Sequence, residues 1–275
     1  MIAPPRLRRG DRIGVVAPSG PVEQRHVLAG ARALAREGFR VVLAPHVFDR
    51  RGHLAGTDAA RAADLNRMLR DPDIRCVLMA RGGYGTMRIA DQVDWGAMRR
   101  DPKIYAGFSD ATFLHLGFAS QARVRTLHGP NLQGLKGVAL KRWIEWVTNP
   151  RPSERVRTLS GRFHLGTKRG KARGIVLGGN LKLVDYAVGT GLLPTLRGAI
   201  LFLEEVNEPP YKLDGMFRQL ILAGSLRGLR GVALGDFLKC APRPGRRELP
   251  ARQVLEDHMG PLGVPCVGGF PAGHA

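Results

Sequence analysis

Residues 103–115 read KIYAGFSDATFLH, and the fold turns on how this stretch is read. Ile104 to Phe108 is a short apolar run with β-branched and aromatic side chains, the composition of a buried strand. Gly107 permits a tight turn, and the following ATFLHLGFASQA has the apolar spacing of a helix. Ser109 is therefore predicted on a strand-to-helix turn, with its hydroxyl at the helix N-terminus. There, free backbone N–H groups and the positive end of the helix dipole stabilise a developing oxyanion. This is the logic of a nucleophile elbow, with Ala111 where G-x-S-x-G has its second glycine. A serine that simply caps the helix fits the same spacing, and spacing alone leaves the two roles open.

Working outward, the same alternation recurs. Residues 12–17 read as a strand, followed by a turn and a helix from about Glu23 to Glu37 that stops at Gly38. Phe39 to Leu43 is a second strand. GTDAARAADLNRMLRD opens on a Thr57 or Asp58 cap and ends at Asp71-Pro72. Ile74 to Met79 is a third strand that runs into the loop ARGGYGTMRI. Strands alternating with helices predict a parallel sheet covered on both faces, with sites at the C-terminal ends of its strands. Arg81-Gly82-Gly83-Tyr84-Gly85 and Ser109 then share one sheet edge. The glycine loop is open to three readings: a phosphate cradle, although it lacks GxGxxG spacing and a P-loop Lys-Ser/Thr; a tight turn; or half of an oxyanion hole.

Beyond about residue 149, Arg, Pro, Ser and Gly displace the apolar periodicity, as in an inter-domain connection. The second half opens with GIVLGGNLKLVDYAVGT, read as a strand, a Gly-Gly turn and a helix. Ala199 to Leu203 is an apolar strand ending at Glu204 and Glu205, and Pro209-Pro210 breaks the chain before a helix from about Lys212 to Leu222. Further strands are expected at 231–235 and 264–267. The fold class is α/β: an N-terminal Rossmann-like parallel-sheet domain (1–148), a linker (149–170), and a smaller, mainly β C-terminal α/β domain (171–275).

The chain has 275 residues, 44% of them hydrophobic, which excludes a disordered chain and supports a sizeable core. No run of about 18 apolar residues occurs, so no membrane span is expected. IGVVA near the N-terminus is too short for a secretory core and reads as the first strand. Cys76, Cys240 and Cys266 form no CxxC pair and are expected as buried thiols in a reducing cytoplasm. The formal net charge of +20 raises the question of nucleic acid. Its densest stretch, Arg151 to Arg173, carries one aromatic, Phe163, and no zinc-finger, RNP or homeodomain pattern is present, so a nucleic-acid partner is not expected.

A nucleophilic serine needs a base, and the base an acid to hold its tautomer. His115, six residues along the Ser109 helix, reads as a structural group packed against the sheet. His128, in HGPN, follows a strand and is a candidate to line the cleft. His274 sits in GGFPAGHA, where glycines let an imidazole approach a site closely. Spacing does not choose between His128 and His274.

With these residues assembled, the chain resembles the LD-carboxypeptidases, serine peptidases related to the microcin-immunity peptidases. The matching blocks are GDRIGVVAPSGPV, LAGTDAARAADLNRMLRDPDI, ARGGYGTMRI, PKIYAGFSDATFLH, HGPNL, GIVLGGNLKLVDYAVGT, AILFLEEVNEPPYKLDGMFRQL and GGFPAGHA, in the family's order. The resemblance implies a Ser-His-Glu triad split across two domains: Ser109 as nucleophile, His274 as base and Glu204 as acid, with Glu205 the adjacent alternative. It implies an oxyanion hole from the N–H groups of Gly83 and Asp110, no metal and no cofactor. Arg81, Tyr84 and His128 are substrate-binding candidates. The implied activity is cytoplasmic release of the terminal D-alanine from muropeptide tetrapeptides, by a homodimer. The alternatives are a microcin-type immunity peptidase, and a relative that has lost catalysis or a basic nucleic-acid-binding module. Family members usually continue past the Gly-His pair, so a truncated end is expected, with a terminal segment that has little to hold it.

Overall fold

The computed structural model describes residues 1–149, 170–270 and 272–274. Most of the linker expected at 149–170 and most of the basic stretch from 151 to 173 lie outside the described residues. The chain divides into two compact units, Met1–Glu154 and Arg155–Ala275.

In the first unit the apolar runs form five parallel strands: β1 (Arg12–Val16), β2 (Arg40–Leu43), β3 (Ile74–Met79), β4 (Ile104–Gly107) and β5 (Leu127–His128). Their order is β2-β1-β3-β4-β5. Period-two alternation sends successive side chains to opposite faces. Ile13, Val15, Cys76, Leu78 and Ala106 pack under α1 (Gln24–Arg36) and α5 (Gly137–Thr148), against Val27, Leu34, Trp143 and Val147. Ile74, Val77, Met79 and Tyr105 face the other way. They meet Leu65 and Met68 of α2 (Asp58–Arg70), Met98 of α3 (Trp95–Arg100) and Leu114 of α4 (Ala111–Gly117). Each fully buried side chain of this size stabilises the sheet by about 1.5–3 kcal/mol. Thr57 caps α2 as expected, its hydroxyl accepting the Ala60 N–H at 3.1 Å. Helix α5 has no counterpart in the sequence reading.

The second unit is a four-stranded parallel sheet, β6 (Val176–Asn180), β7 (Ile200–Val206), β8 (Gly231–Leu238) and β9 (Cys266–Val267), in that order. It carries α6 (Leu181–Tyr186), α7 (Pro210–Leu222) and α8 (Ala251–Met259). Three sequence expectations change here. The Gly178-Gly179 pair is not a turn but lies inside β6, paired with Phe202 and Leu203. Both glycines have positive φ, which would turn a Cβ on Gly178 to within 2.0 Å of the Phe202 carbonyl oxygen, so glycine lets β6 keep this backbone while paired with β7. Pro210 starts α7 instead of ending a break, because a proline at the first helical position lacks only an N–H that would have no partner there. Helix α8, which follows the Arg- and Pro-rich stretch 241–250, was not anticipated.

All three cysteines are free and buried, as expected. Burial pushes the Cys240 thiol up to about 11 and the Cys266 thiol up to about 12, so neither is a nucleophile at neutral pH.

Candidate active site

Strand β4 ends at Gly107, and two residues later Ser109 adopts φ 65°. A left-handed backbone costs a residue with a β-carbon about 1–2 kcal/mol, and such strain persists only where the surroundings over-determine it. The serine stands one residue before Asp110, the cap position of α4, and its carbonyl accepts the Thr112 N–H at 2.9 Å. Gly107, contrary to what its position suggested, does not supply the turn's positive φ. Its lack of a side chain provides room: a Cβ there would sit 3.0 Å from Asn131 Oδ1 and 3.1 Å from both Ala111 Cβ and Met79 Cβ. Asn131 Oδ1 accepts the Phe108 N–H at 3.2 Å, bracing the turn from the HGPN segment.

His115 braces the same turn from below. Its Nε2 lies 2.8 Å from the Gly107 carbonyl and its Nδ1 2.8 Å from Thr126 Oγ1. Burial pushes its pKa down to about 4 against the opposing pull of the Gly107 carbonyl, so the ring is neutral at pH 7. Nε2–H then donates to Gly107 and Nδ1 accepts from the Thr126 hydroxyl. His115 is structural, as its sequence context suggested. His128 packs beside it, its ring 5.7 Å from that of His115 and 6.3 Å from that of Phe108.

The glycine loop after β3 lies against the serine. A Cβ on Gly82 would come within 3.0 Å of Ser109 Cβ and 3.2 Å of its Oγ. Gly83 has φ 122° and abuts the backbone nitrogen of Gly20, whose N–H donates to the Gly82 carbonyl at 3.3 Å. Close approach of backbone to a reacting group is what glycine allows and other residues forbid. Arg81 donates to the Pro21 carbonyl at 3.0 Å, and the exposed Tyr84 ring lies 5.7 Å from that of His53.

Two buried charges that sequence reasoning passed over hold these loops. Asp110 Oδ2 accepts from Ser19 Oγ at 2.5 Å and from the Thr86 N–H at 2.9 Å, and the Asp110 carbonyl accepts from Thr86 Oγ1 at 2.8 Å. Burial raises the Asp110 pKa, against the hydrogen bonds from Ser19 and Thr86. Arg61, buried on α2, donates to the carbonyls of Pro18 and Gly85 and pairs with Asp58. Asp58 is held down at about 2, chiefly by Arg88, with burial opposing and Arg61 adding to the effect. The available signal was indirect: Ser19 and Thr86 each follow a strand end beside glycine or proline, where a hydroxyl often ties a turn.

In the second unit, Glu204 and Glu205 point to opposite sides of β7, as neighbours on a strand must. Glu204 is fully buried, and its Oε2 lies 2.6 Å from His274 Nδ1. Glu205 instead accepts from Asn180 Nδ2 at 2.8 Å, the Lys182 N–H at 2.9 Å and its neighbour Val206 N–H at 2.8 Å. It fastens the start of α6, and the Asn180 side chain caps that helix. Burial alone would push the His274 pKa down; the hydrogen bond and charge of Glu204, with help from Glu205, outweigh it and raise the pKa above 6.5. With Nδ1–H donated to the carboxylate, Nε2 is the basic nitrogen.

The terminal segment is better held than its glycine content predicts. Phe270 N–H donates to the Leu234 carbonyl at 2.9 Å, and Asp236 N–H donates to the Ala272 carbonyl at 3.0 Å. The register of β7 on β8 shifts between Leu203 and Glu205, and Gly235 lies within the looser β8 stretch that results. A Cβ on Gly235 would lie 2.1 Å from the Ala272 oxygen, so glycine is required for the segment to dock.

Residues 13–129 match the LD-carboxypeptidase N-terminal domain, and residues 173–275 match the LD-carboxypeptidase C-terminal domain. The chain belongs to the LD-carboxypeptidase family. It is a serine-type peptidase, and its α/β fold of two parallel sheets is that of the family's structures. An inferred carboxypeptidase of Streptomyces coelicolor is 42% identical, over 100% of this chain and 88% of the relative. The murein tetrapeptide carboxypeptidase of Pseudomonas aeruginosa is 30% identical, over 96% of this chain and 88% of the relative. The crystal structure of muramoyltetrapeptide carboxypeptidase from Oxalobacter formigenes superposes with a TM-score of 0.81 at 25% identity, covering 96% of this chain and 89% of the other. Among the described residues, no helix is long and apolar enough to cross a membrane.

Proposed function

We propose that this LD-carboxypeptidase releases the terminal D-alanine from the tetrapeptide of muropeptides during cell-wall recycling, in the cytoplasm and as a homodimer. The observation that carries the proposal is the 2.6 Å contact of the buried Glu204 carboxylate with the half-buried His274, in a chain whose Ser109 sits at a strained elbow beside a glycine loop. Ser109 Oγ attacks the carbonyl carbon of the bond between the L-configured centre and D-alanine. His274 Nε2 takes the hydroxyl proton, and Glu204 holds the imidazole in the tautomer this needs. The negative charge that develops on the carbonyl oxygen is stabilised by the N–H groups of Gly83 and Asp110. Collapse of this intermediate expels D-alanine, whose amine takes the proton from His274, and water then hydrolyses the acyl-serine by the same route. Arg81, Tyr84 and His128 contact the substrate. No metal, cofactor or nucleic acid takes part.

The test is incubation with a disaccharide tetrapeptide, followed by mass for loss of one alanine. Ser109→Ala is expected to abolish the loss without unfolding the chain. A purified, folded parent chain that leaves the tetrapeptide intact would overturn the substrate assignment. A Ser109→Ala variant with near-parental turnover would remove Ser109 as nucleophile.

A further inference from the structure

We propose that the Asp110 carboxylate and the Arg61 guanidinium are positioning groups for the reaction, together fixing the loop after β1 and the glycine loop after β3 to the strained Ser109 turn. This rests on Ser109 being the nucleophile and concerns side chains to which that role assigns no task. The two charges grip the same two loops at adjacent residues. Arg61 binds the carbonyls of Pro18 and Gly85, and Asp110 binds the next residue of each loop, Ser19 and Thr86. A third tie, Gly20 N–H to the Gly82 carbonyl, joins the loops directly where Gly82 meets Ser109. Both side chains are only 1% exposed.

Burying two charges is costly for stability, and well-packed apolar residues would fill the volume at least as well. What the charges provide instead is geometry. A carboxylate oxygen accepting two hydrogen bonds, and a planar guanidinium whose Nη1 donates to two carbonyls while Nη2 pairs with Asp58, each fix loop atoms in direction as well as distance. The Ser109 backbone is held in a conformation it would leave if its surroundings loosened. The N–H of Gly83 stands one residue from the contact with Ser109, so slack between the loops shifts donor and nucleophile relative to each other. Such slack penalises the transition state more than ground-state binding.

The test compares Ser19→Ala, Thr86→Val, Thr86→Ser and Asp110→Asn with the parent. Four quantities are read: kcat and KM on the tetrapeptide, the rate at which a fluorophosphonate modifies Ser109 by intact mass, and Tm. Ser19→Ala and Thr86→Val are expected to lower kcat and the modification rate by roughly tenfold or more, with KM nearly unchanged. Thr86→Ser restores what Thr86→Val loses, since it returns the hydroxyl bonded to the Asp110 carbonyl. Rates within about twofold of the parent in both Ser19→Ala and Thr86→Val would overturn the proposal, as would losses that simply track Tm across the set. If Asp110→Asn fails to fold, the two hydroxyl variants still decide. A parent that is modified at Ser109 but leaves the tetrapeptide intact overturns the substrate assignment alone, and the modification rates still test the clamp. A folded parent that is not modified overturns both the nucleophile and the clamp.

Discussion

At the scale of single residues, the backbone of Ser109 and the protonation of His274 make separate predictions. Because Ser109 has φ 65°, Ser109→Gly should be more stable than Ser109→Ala by about 0.5–1 kcal/mol: glycine escapes the left-handed penalty but loses part of the gain in unfolded-state entropy. Denaturant midpoints of the two inactive variants check this, and equal midpoints would show that the turn is unstrained. His274 has a folded-state pKa above its ordinary 6.5. The stability it contributes is fully present below the unfolded-state pKa and fades as pH rises through the folded one. Activity runs the other way, since the base must be neutral: kcat/KM should rise with pH, with an acidic limb centred above 6.5. Glu204→Gln removes the charge that overcomes burial, so the limb should move to lower pH while turnover falls by orders of magnitude. A limb that stays put in Glu204→Gln would remove Glu204 as the triad acid. Glu205→Gln should act mainly on stability, because its partners are the backbone and the cap residue at the start of α6.

At the scale of elements, the least replaceable contacts involve glycines at which a side chain would strike backbone. Gly235→Ala would drive a Cβ into the Ala272 oxygen, lifting the terminal segment off β8 and moving His274 with it. A displacement of about 1 Å can cost roughly a hundredfold in rate, so kcat should collapse while the far-ultraviolet spectrum stays parental. Retained turnover would mean that the base is positioned by Glu204 alone. Gly178→Ala meets the Phe202 carbonyl inside the β6–β7 pairing and should instead lower Tm, because it separates two strands and not a strand and a tail. The sequence located most of these elements, since apolar runs and helical periodicity are local properties. It misread the Gly178-Gly179 pair because a glycine pair in a turn and one in a crowded strand look alike until the neighbouring strand is known. It missed α5 and α8, whose helical stretches follow glycine- and proline-rich sequence that obscures their starts.

At the scale of the whole molecule, a net charge of +20 carries a self-repulsion that salt should relieve. Several arginines of the first unit pair locally, among them Arg12 with Asp73, Arg70 with Asp94 and Arg88 with Asp58. Raising salt from about 20 to 200 mM shortens the screening length severalfold, so Tm should rise while turnover of the small peptide changes little. A steep fall in the binding of a nucleic-acid probe over the same range, with affinity at physiological salt, would favour the nucleic-acid alternative. A Tm that does not move would show that the charges are already compensated.

By itself the sequence determined the alternating α/β order, the Ser109 turn, and the carboxylate pair at the end of an apolar strand. Each is written in residues adjacent along the chain, where strand period, helix period and turn chemistry act locally. Only the tertiary structure shows which of Glu204 and Glu205 contacts His274. They are neighbours in sequence but face opposite sides of β7, one toward His274 seventy residues on and the other toward the start of α6. It likewise showed that His274 meets a buried carboxylate, a pairing that spacing had left open between His128 and His274. The Asp110–Arg61 clamp was beyond sequence reasoning for the same reason. A buried charge is tolerable only with partners, and those partners, Pro18, Ser19, Gly85 and Thr86, converge only once β1, β3 and β4 lie side by side.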